Sequence, residues 1–378
     1  MKIDKIKIIN FRNYDNINIC FSDNLNIIYG LNGSGKTNLV EAIYFLSLTK
    51  SFRIGKDAVL MKKGTDKSII EGEIDRNQDK TKYKVILDKD GKHVEINDNK
   101  VSKLSEYVTQ VNVVLYSPTD NMLVSASPSE RRKLLNIEIS GLYKEYLLIL
   151  NNYLKILKQR NFYLKEMLIN GNSSRDYLDI LTNKLIEYGL LINKYRNEFV
   201  DRINKYIEKI YLIIFGHGSL KIKYVSDYNN KTSKELFKKY RDNFKREMAL
   251  GKTLIGVHHD DLEFKLDNNL LKEYGSEGQR KNSIIAFKLA ELNVIYEVKG
   301  NYPILILDDL FSELDYEKIK NILQLLNNQV QTFITTTEID KISSKYLKNS
   351  KLFKIIDGTI EEETKWKKNI TQIVIFKY

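Results

Sequence analysis

A single cysteine, Cys20, occurs in the whole 378-residue chain. No intrachain disulfide can form, which excludes the small, disulfide-stapled secreted domains. No apolar run approaches the roughly 20 residues that a membrane-spanning helix requires, and no signal pattern occupies the N-terminus. These absences lead to the expectation of a cytoplasmic protein with no membrane partner. Acidic residues are in the minority: 49 Asp and Glu stand against 61 Lys and Arg, a formal net charge of +12. That surplus suits a polyanionic partner such as nucleic acid, although the chain is rich in Lys, Asn, Ile and Tyr throughout and charge alone does not demand one. With 42% hydrophobic and 29% charged residues the composition is that of a globular protein, long enough for one large or two ordinary domains.

What is present is organised around Gly30-Leu31-Asn32-Gly33-Ser34-Gly35-Lys36-Thr37. It fits G-x-x-x-x-G-K-[ST], the phosphate-binding P-loop. The apolar run Leu25 to Tyr29 precedes it, and Leu39, Val40 and Ile43 recur at helical spacing after it, so the strand–loop–helix context is in place. The glycines let backbone N–H groups turn toward a polyphosphate, and the helix N-terminus adds partial positive charge. Lys36 is expected to reach the β/γ-phosphates of ATP, and the Thr37 hydroxyl to bind Mg²⁺.

In chain order, Lys5 to Phe11, Asn16 to Phe21 and Leu25 to Tyr29 are short β-like runs, expected to form one small sheet that delivers the P-loop. Alternating segments at Ser68–Asp75, Lys82–Asp88 and His93–Asn97, with Asp90-Gly91 as a turn signal, predict an antiparallel meander. Val111 to Tyr116 predicts a further strand ending at Ser117-Pro118. Ser127-Pro128-Ser129-Glu130 reads as a capping box with Pro at the first helical position. From there Ile139, Leu142, Tyr146, Ile149, Tyr153 and Ile156 alternate spacings of three and four. Beyond Asn170-Gly171-Asn172, Leu178, Leu181, Leu185, Tyr188, Ile192, Tyr195, Phe199 and Ile203 do the same. Two such seams predict an antiparallel helical hairpin with arms of about 40 residues, roughly 60 Å each if straight. An ordinary buried helix pair would carry the same period. Thr232-Ser233-Lys234-Glu235 opens a helix bearing Lys238, Lys239, Arg241, Lys245 and Arg246, either a phosphate-contacting face or a solvated one. Leu262 to Leu266 alternates like a strand.

The last third carries the other half of the chemistry. Tyr302 to Asp309 is a buried-strand run ending in two carboxylates, the Walker B arrangement: Asp308 is expected to hold the metal and Asp309 to sit near the attacking water. Upstream, Ser276-Glu277-Gly278-Gln279 opens an apolar-periodic helix through Ile284, Phe287 and Leu292 and offers hydroxyl and backbone donors to an anion. His258, His259, Asp260 and Asp261 are metal-ligating types, yet adjacent side chains rarely converge on one ion without further ligands.

The P-loop, Ser276–Gln279, Asp308-Asp309 and Ser312-Glu313-Leu314-Asp315 follow the order of ABC-type ATPases, with Gln331 to Thr337 where a strand and switch segment fall. Jointly with Phe11-Arg12-Asn13-Tyr14, Thr37 to Ile43 followed by Ser51-Phe52-Arg53, Ser127-Pro128 through Arg131-Arg132, and Gln159-Arg160-Asn161, this order resembles the RecF family over nearly the whole chain. Two departures stand out: Gly256-Val257-His258-His259-Asp260-Asp261 replaces a usual Gly-Pro-His-Arg-Asp-Asp, and no Q-loop glutamine can be placed. Asp309, where transporter ATPases carry Glu, fits RecF. The resemblance implies an α/β, ABC-type ATPase head, built as a P-loop mixed sheet with an antiparallel β subdomain, in segments 1–126 and 216–378. A helical hairpin arm, 127–215, is inserted. It further implies ATP and Mg²⁺ as cofactors, with Gly30, Leu31, Asn32, Gly33, Ser34, Gly35, Lys36 and Thr37 of one subunit and Ser276, Gly278 and Gln279 of another sandwiching ATP in a homodimer. Lys36, Asp308 and Asp309 would perform slow, DNA-dependent hydrolysis, with Thr37 and Asp308 on the metal. The implied partners are double-stranded DNA, single/double-strand junctions, and RecR- and RecO-like mediators that load recombinase. A transporter subunit would place its signature much nearer the P-loop, a P-loop kinase has no use for Ser276–Gln279, and a chromosome-organising SMC-type ATPase carries a far longer coiled coil.

Overall fold

The computed structural model describes residues 1–53, 55–170, 174–326 and 328–363. In chain order its main elements are β1 (Lys2–Phe11), β2 (Tyr14–Cys20), β3 (Leu25–Tyr29), α1 (Lys36–Leu48), β4 (Lys67–Arg76), β5 (Asp79–Asp88), β6 (Gly91–Ile96) and β7 (Val113–Tyr116). The helices α2 (Pro128–Leu142), α3 (Lys144–Asn170), α4 (Arg175–Asn204) and α5 (Ile207–Phe215) follow, then β8 (Leu220–Val225), α6 (Ser233–Leu250), β9 (Asp261–Leu266) and α7 (Glu277–Lys299). The chain closes with β10 (Ile304–Asp308), α8 (Tyr316–Leu326), β11 (Thr332–Thr336), β12 (Ser350–Ile356) and β13 (Thr359–Glu363). Two compact units result: Met1–Leu46, Lys50–Asp98 and Ile304–Tyr378 form the first, and Ser47–Thr49 with Asn99–Pro303 the second.

The first unit holds two sheets. One is antiparallel, in the order β2-β1-β4-β5-β6, and contains the expected meander. Its two-residue turn falls on Lys89 and Asp90, one position before the Asp90-Gly91 signal, because Asp88 pairs with Gly91 and Gly91 opens the returning strand at φ +120°. The other sheet runs β13-β12-β3-β11-β10, with β3 parallel to β12 and β11, and β11 parallel to β10. The three N-terminal runs thus do not share one sheet. β1 and β2 pair with each other, whereas β3 is continuously buried from Leu25 to Ile28, as a central parallel strand must be, and joins β11 and β12. Ile27, Ile28, Leu39, Ile43, Phe333 and Phe353 are fully buried around it. Gln331 ties the sheets together: its side chain accepts from Ile3 N–H at 2.7 Å and donates to the Ile3 carbonyl at 2.9 Å.

In the second unit, α3 and α4 pair as an antiparallel hairpin, and α6 packs against both. Each predicted 40-residue arm is broken. α2 ends at Leu142, after which Tyr143 is extended (φ −129°, ψ 110°), and α4 ends at Asn204 before α5 begins. The hairpin helices have 27 and 30 residues, or about 40–45 Å each. Of the polar turn between them, Gly171 and Asn172 lie outside the described residues. The capping box at Ser127 does not form either. Ser127 is the N-cap and Pro128 the first helical residue, but the Ser127 hydroxyl pairs with Ser129 Oγ at 2.6 Å instead of the helix amide. At Thr232 the box is complete, with Glu235 Oε2 accepting from Thr232 N–H at 2.7 Å. β8, β9 and the pair Asn269–Leu270 form a three-stranded antiparallel sheet. The buried Lys288 of α7 reaches Glu138 of α2 at 2.7 Å, fixing the two helices together.

Candidate functional site

Strand register decides the geometry of the first unit's site. β3, β11 and β10 are parallel neighbours, so the P-loop, Thr335 and Asp308 emerge at the same carboxyl edge of the sheet, where open α/β sheets bind ligands. Gly30 leaves β3 at φ +153°, and a Cβ there would lie 2.4 Å from the Ile355 carbonyl oxygen. Gly35 enters α1 at φ +118°, where a Cβ would lie 2.5 Å from Asn13 Nδ2. Both positions exclude side chains. The loop is held from outside by the Phe11–Tyr14 motif: Asn13 Nδ2 donates to the Ser34 carbonyl at 3.1 Å and Tyr14 OH to the Gly35 carbonyl at 3.0 Å.

Lys36 donates to the carbonyls of Gly30 at 2.9 Å and Leu31 at 2.8 Å, so its ammonium lies folded over the loop. Burial lowers its pKa, opposed by the charges of Asp309 and Asp308. Asp308 Oδ1 accepts from Thr37 Oγ1 at 3.0 Å and from Thr335 Oγ1 at 2.6 Å. Burial raises the Asp308 pKa; the two hydroxyl donors counter it, the Asp309 charge adds to it, and the Arg53 charge opposes it. Asp309 follows in the left-handed region at φ +50°, its N–H donating to Thr335 Oγ1 at 2.9 Å. The backbone turns there.

Polar contacts behind the loop fix α1. Arg12 grips the buried Glu41 with two bonds of 2.8 Å, Asn38 Nδ2 donates to Asn13 Oδ1 at 2.8 Å, and Arg53 Nη1 donates to Asn38 Oδ1 at 3.0 Å. Arg53 is 3.8 Å from Glu41 and partly exposed, so a fixed cation stands at the mouth of the site. Thr335 and Arg53 are absent from the sequence-derived site. Thr335 belongs to an undifferentiated threonine run, and Arg53 carries a signal only through the Ser51-Phe52-Arg53 resemblance.

The residues fit a Mg²⁺-bound nucleoside triphosphate. Ser34 Oγ and Asp309 Oδ1 are buried without a hydrogen-bond partner. Gly33, at φ +81°, has nothing within 4 Å of its Cβ position. A backbone nest, a lysine, a hydroxyl and two carboxylates make a donor and acceptor set suited to phosphate and a hard cation.

Ser276, Gly278 and Gln279 belong to the second unit. Ser276 caps α7 in a reciprocal box: its Oγ accepts from Gln279 N–H at 3.2 Å, and Gln279 Oε1 accepts from Ser276 N–H at 2.9 Å. Ser276, Glu277 and Gly278 are exposed, and space is open beside the Gly278 Cα.

The segment 256–261 is structural. Asp260 accepts from Arg196 at 2.9 Å and from the Tyr224 hydroxyl, and Asp261 accepts from Arg131 at 2.6 and 2.9 Å. His258 Nδ1 pairs with Tyr153 OH at 2.6 Å, while Nε2 of both histidines faces the Thr253 carbonyl at 3.2 and 3.1 Å. Arg160 binds Glu247 at 2.6 Å and Thr253 at 2.8 Å. Among the described residues no group of His, Cys, Asp or Glu is arranged to hold a metal. The Ser127–Arg132, Gln159–Asn161 and 256–261 motifs therefore meet in one buried polar network, and the carboxylates are spent on arginines.

A P-loop and Walker carboxylates at the edge of a mixed sheet, an antiparallel β subdomain, and a helical hairpin inserted before a capped signature helix define an ABC-type ATPase head with an inserted arm. The RecF/RecN/SMC N-terminal domain family matches residues 2–361. DNA replication and repair protein RecF of Ligilactobacillus salivarius is 35% identical over 371 residues, covering 96% of this chain and 98% of that one. RecF of Halalkalibacterium halodurans is 37% identical, with 96% and 100% covered. A solved structure of the recombination mediator protein RecF with ATP, in the RecFOR pathway, superposes with a TM-score of 0.87 at 30% identity, covering 96% of this chain and 97% of that one. An Smc head bound to the C-winged helix domain of ScpA shares the fold at TM-score 0.57 and 17% identity, covering 96% and 97%. The chain belongs to the RecF family of DNA replication and repair proteins. No described helix is long and apolar enough to cross a membrane.

Proposed function

We propose that the chain is an ATP-gated DNA clamp of the cytoplasm, acting in recombinational repair and replication restart. The observation that carries this reading is the convergence of Thr37 and Thr335 on one oxygen of Asp308, beside the unpartnered Ser34 Oγ and Asp309 Oδ1. ATP binds across Gly30–Thr37, and Lys36 moves from its loop carbonyls onto the phosphates. Mg²⁺ would be held by Thr37 and Asp308, where it would neutralise charge on the phosphate oxygens. Asp309 orients the attacking water. Its short side chain, in a strained backbone conformation, holds that water less closely than a glutamate would, and turnover is slow.

Ser276, Gly278 and Gln279 close on the triphosphate of a second copy, which accounts for a capped, solvent-facing helix start in a unit separate from the P-loop. ATP therefore joins two heads, and hydrolysis releases them. In this reading residues 1–126 and 216–378 act as the head and 127–215 as the arm. The dimer clamps duplex DNA near single/double-strand junctions, hydrolysis depends on DNA, and RecR- and RecO-like mediators, the named company of the solved relative's pathway, help it load recombinase. An SMC-type chromosome organiser would use the same head, but hairpin helices of 27 and 30 residues are far too short for its coiled coil. Gel filtration with and without ATP·Mg²⁺ tests the reading: a shift from monomer to dimer is expected, and a monomer in both runs removes the clamp.

A further inference from the structure

On β5, in the antiparallel sheet of the first unit, the lysines are matched by carboxylates. Lys80 pairs with Asp4 and Glu73, Lys82 with Glu71 and Asp98, and Lys84 with Glu95, at 2.6 to 3.4 Å. The three-stranded sheet of the second unit is built differently. Its register sets Lys221 of β8 directly opposite Lys265 of β9, and Lys223 opposite Glu263. Glu263 lies 3.7 Å from Lys265, while Lys221 and Lys223 are exposed and have no ion pair among the described residues. Directly opposed like charges weaken a strand pair. The fold gains nothing from this arrangement unless an anion covers it.

A cavity of about 300 Å³ opens over the same face, lined by Lys221, Lys223 and Lys265 together with Asn204, Ser219 and Asn268. The nearby carboxylates are engaged, Glu208 by the Ser219 hydroxyl and Asp267 by the Ser219 N–H. We propose that this face binds the phosphodiester backbone of nucleic acid, with Lys221 and Lys265 on one phosphate and Lys223 on a neighbouring one. Lys221 and Lys223 project from the same side of β8, about 7 Å apart, and a strand charged at every nucleotide can meet both.

A protein partner fits the face poorly. Asn204 closes the free edge of β8, accepting from Ile222 N–H at 2.9 Å and donating to the Ile222 carbonyl at 2.7 Å, so a peptide strand cannot add at that residue. Ile222, the apolar residue in the lining, is itself buried, and a lysine-rich patch with no aromatic or aliphatic anchor is the reverse of a protein interface core.

The inference rests on the DNA-binding reading and adds the surface to it. The experiment is fluorescence anisotropy of duplex binding by the full chain across a KCl series, comparing the parent with the double variant Lys221→Gln/Lys265→Gln. Lys221 and Lys265 share one phosphate, so losing both should lower the log–log salt slope by about 0.9. ATP-dependent dimerisation should be unchanged, and the melting temperature should not fall, because removing opposed ammonium groups relieves repulsion. Lys80→Gln/Lys84→Gln, which removes matched charges, should keep the parental slope. A parent that binds no DNA overturns both readings. A parent that binds, with the Lys221/Lys265 variant retaining its slope, overturns this one alone and leaves the face to an acidic protein.

Discussion

The hydroxyl of Thr37 donates to Oδ1 of Asp308 across 3.0 Å, joining residues 271 positions apart in the chain. That bond brings the start of α1 to the end of β10 without a ligand, so the two halves of the site are already positioned. Preorganisation of this kind is how phosphoryl-transfer sites gain most of their effect.

Lys36 is the cation such a site requires. Lys36→Met retains the aliphatic stem and removes the ammonium that now bridges the Gly30 and Leu31 carbonyls. Nucleotide binding or hydrolysis should be abolished while the far-UV circular dichroism spectrum stays parental. Undiminished ATPase in the variant would remove the assignment.

Asp309 has two properties that separate in mutants. Its backbone is left-handed at φ +50°, a conformation that Asp and Asn tolerate better than other side chains. Asp309→Asn should therefore fold normally, bind ATP, and accumulate as an ATP-bound dimer on gel filtration. Asp309→Ala should lose hydrolysis and in addition about 1 kcal/mol of stability, read as a lowered denaturation midpoint. Parental turnover in the Asn variant would move the water-orienting role elsewhere.

How much of this is legible in the sequence depends on range. The P-loop and the two carboxylates are local patterns whose chemistry fixes their context, and Ser276 caps α7 where the residue types say it should. Thr335 is different: its role comes from the register that sets Asp308 beside it, and Thr335-Thr336-Thr337 offers nothing local to choose among. The same limit explains why β3 parts from β1 and β2, since alternation reports burial and not pairing partner. The break at Tyr143 is hidden because Leu142 and Tyr146 keep the helical spacing across it. At Ser127 a neighbouring hydroxyl two residues on wins the capping bond.

His258 makes the buried network of the second unit pH-sensitive. Burial and the neighbouring His259 lower its pKa from the usual 6.5 to about 4, so the folded protein holds it neutral while the unfolded chain protonates first. The unfolded state binds the extra proton between those values, and stability should rise with pH from about 4 to 6.5. His258→Gln should flatten that limb in denaturation midpoints measured across the range. Asp260→Ala, which strands the buried Arg196, should cost roughly 3–5 kcal/mol at neutral pH, as expected for one half of a buried ion pair. A variant within 1 kcal/mol of the parent would mean that the Tyr146, Asn136 and Val257 contacts of Arg196 suffice without it.

Ser276 tests the link between nucleotide and DNA. If ATP joins two heads, each duplex meets twice the basic surface, and ATP should both tighten binding and steepen its salt dependence, by about −0.9 in the log–log slope for each added phosphate contact. Ser276→Arg places a bulky cation at the exposed start of α7, where the partner's triphosphate approaches. The P-loop of the variant is untouched and should bind nucleotide normally, yet dimerisation and the ATP-dependent part of DNA affinity should disappear. The substitution also removes the bond from Gln279 N–H to Ser276 Oγ, a loss of about 1 kcal/mol at a helix start. Ser276→Ala loses the same cap without the bulk and isolates that effect, so it should dimerise more readily than the Arg variant. Duplex anisotropy is measured through a salt series with and without a slowly hydrolysed ATP analogue, for parent and Ser276→Arg. The parent should show a steeper slope with the analogue, and the variant one slope in both conditions. Identical slopes in all four conditions would sink the ATP-gated clamp even in a protein that hydrolyses ATP.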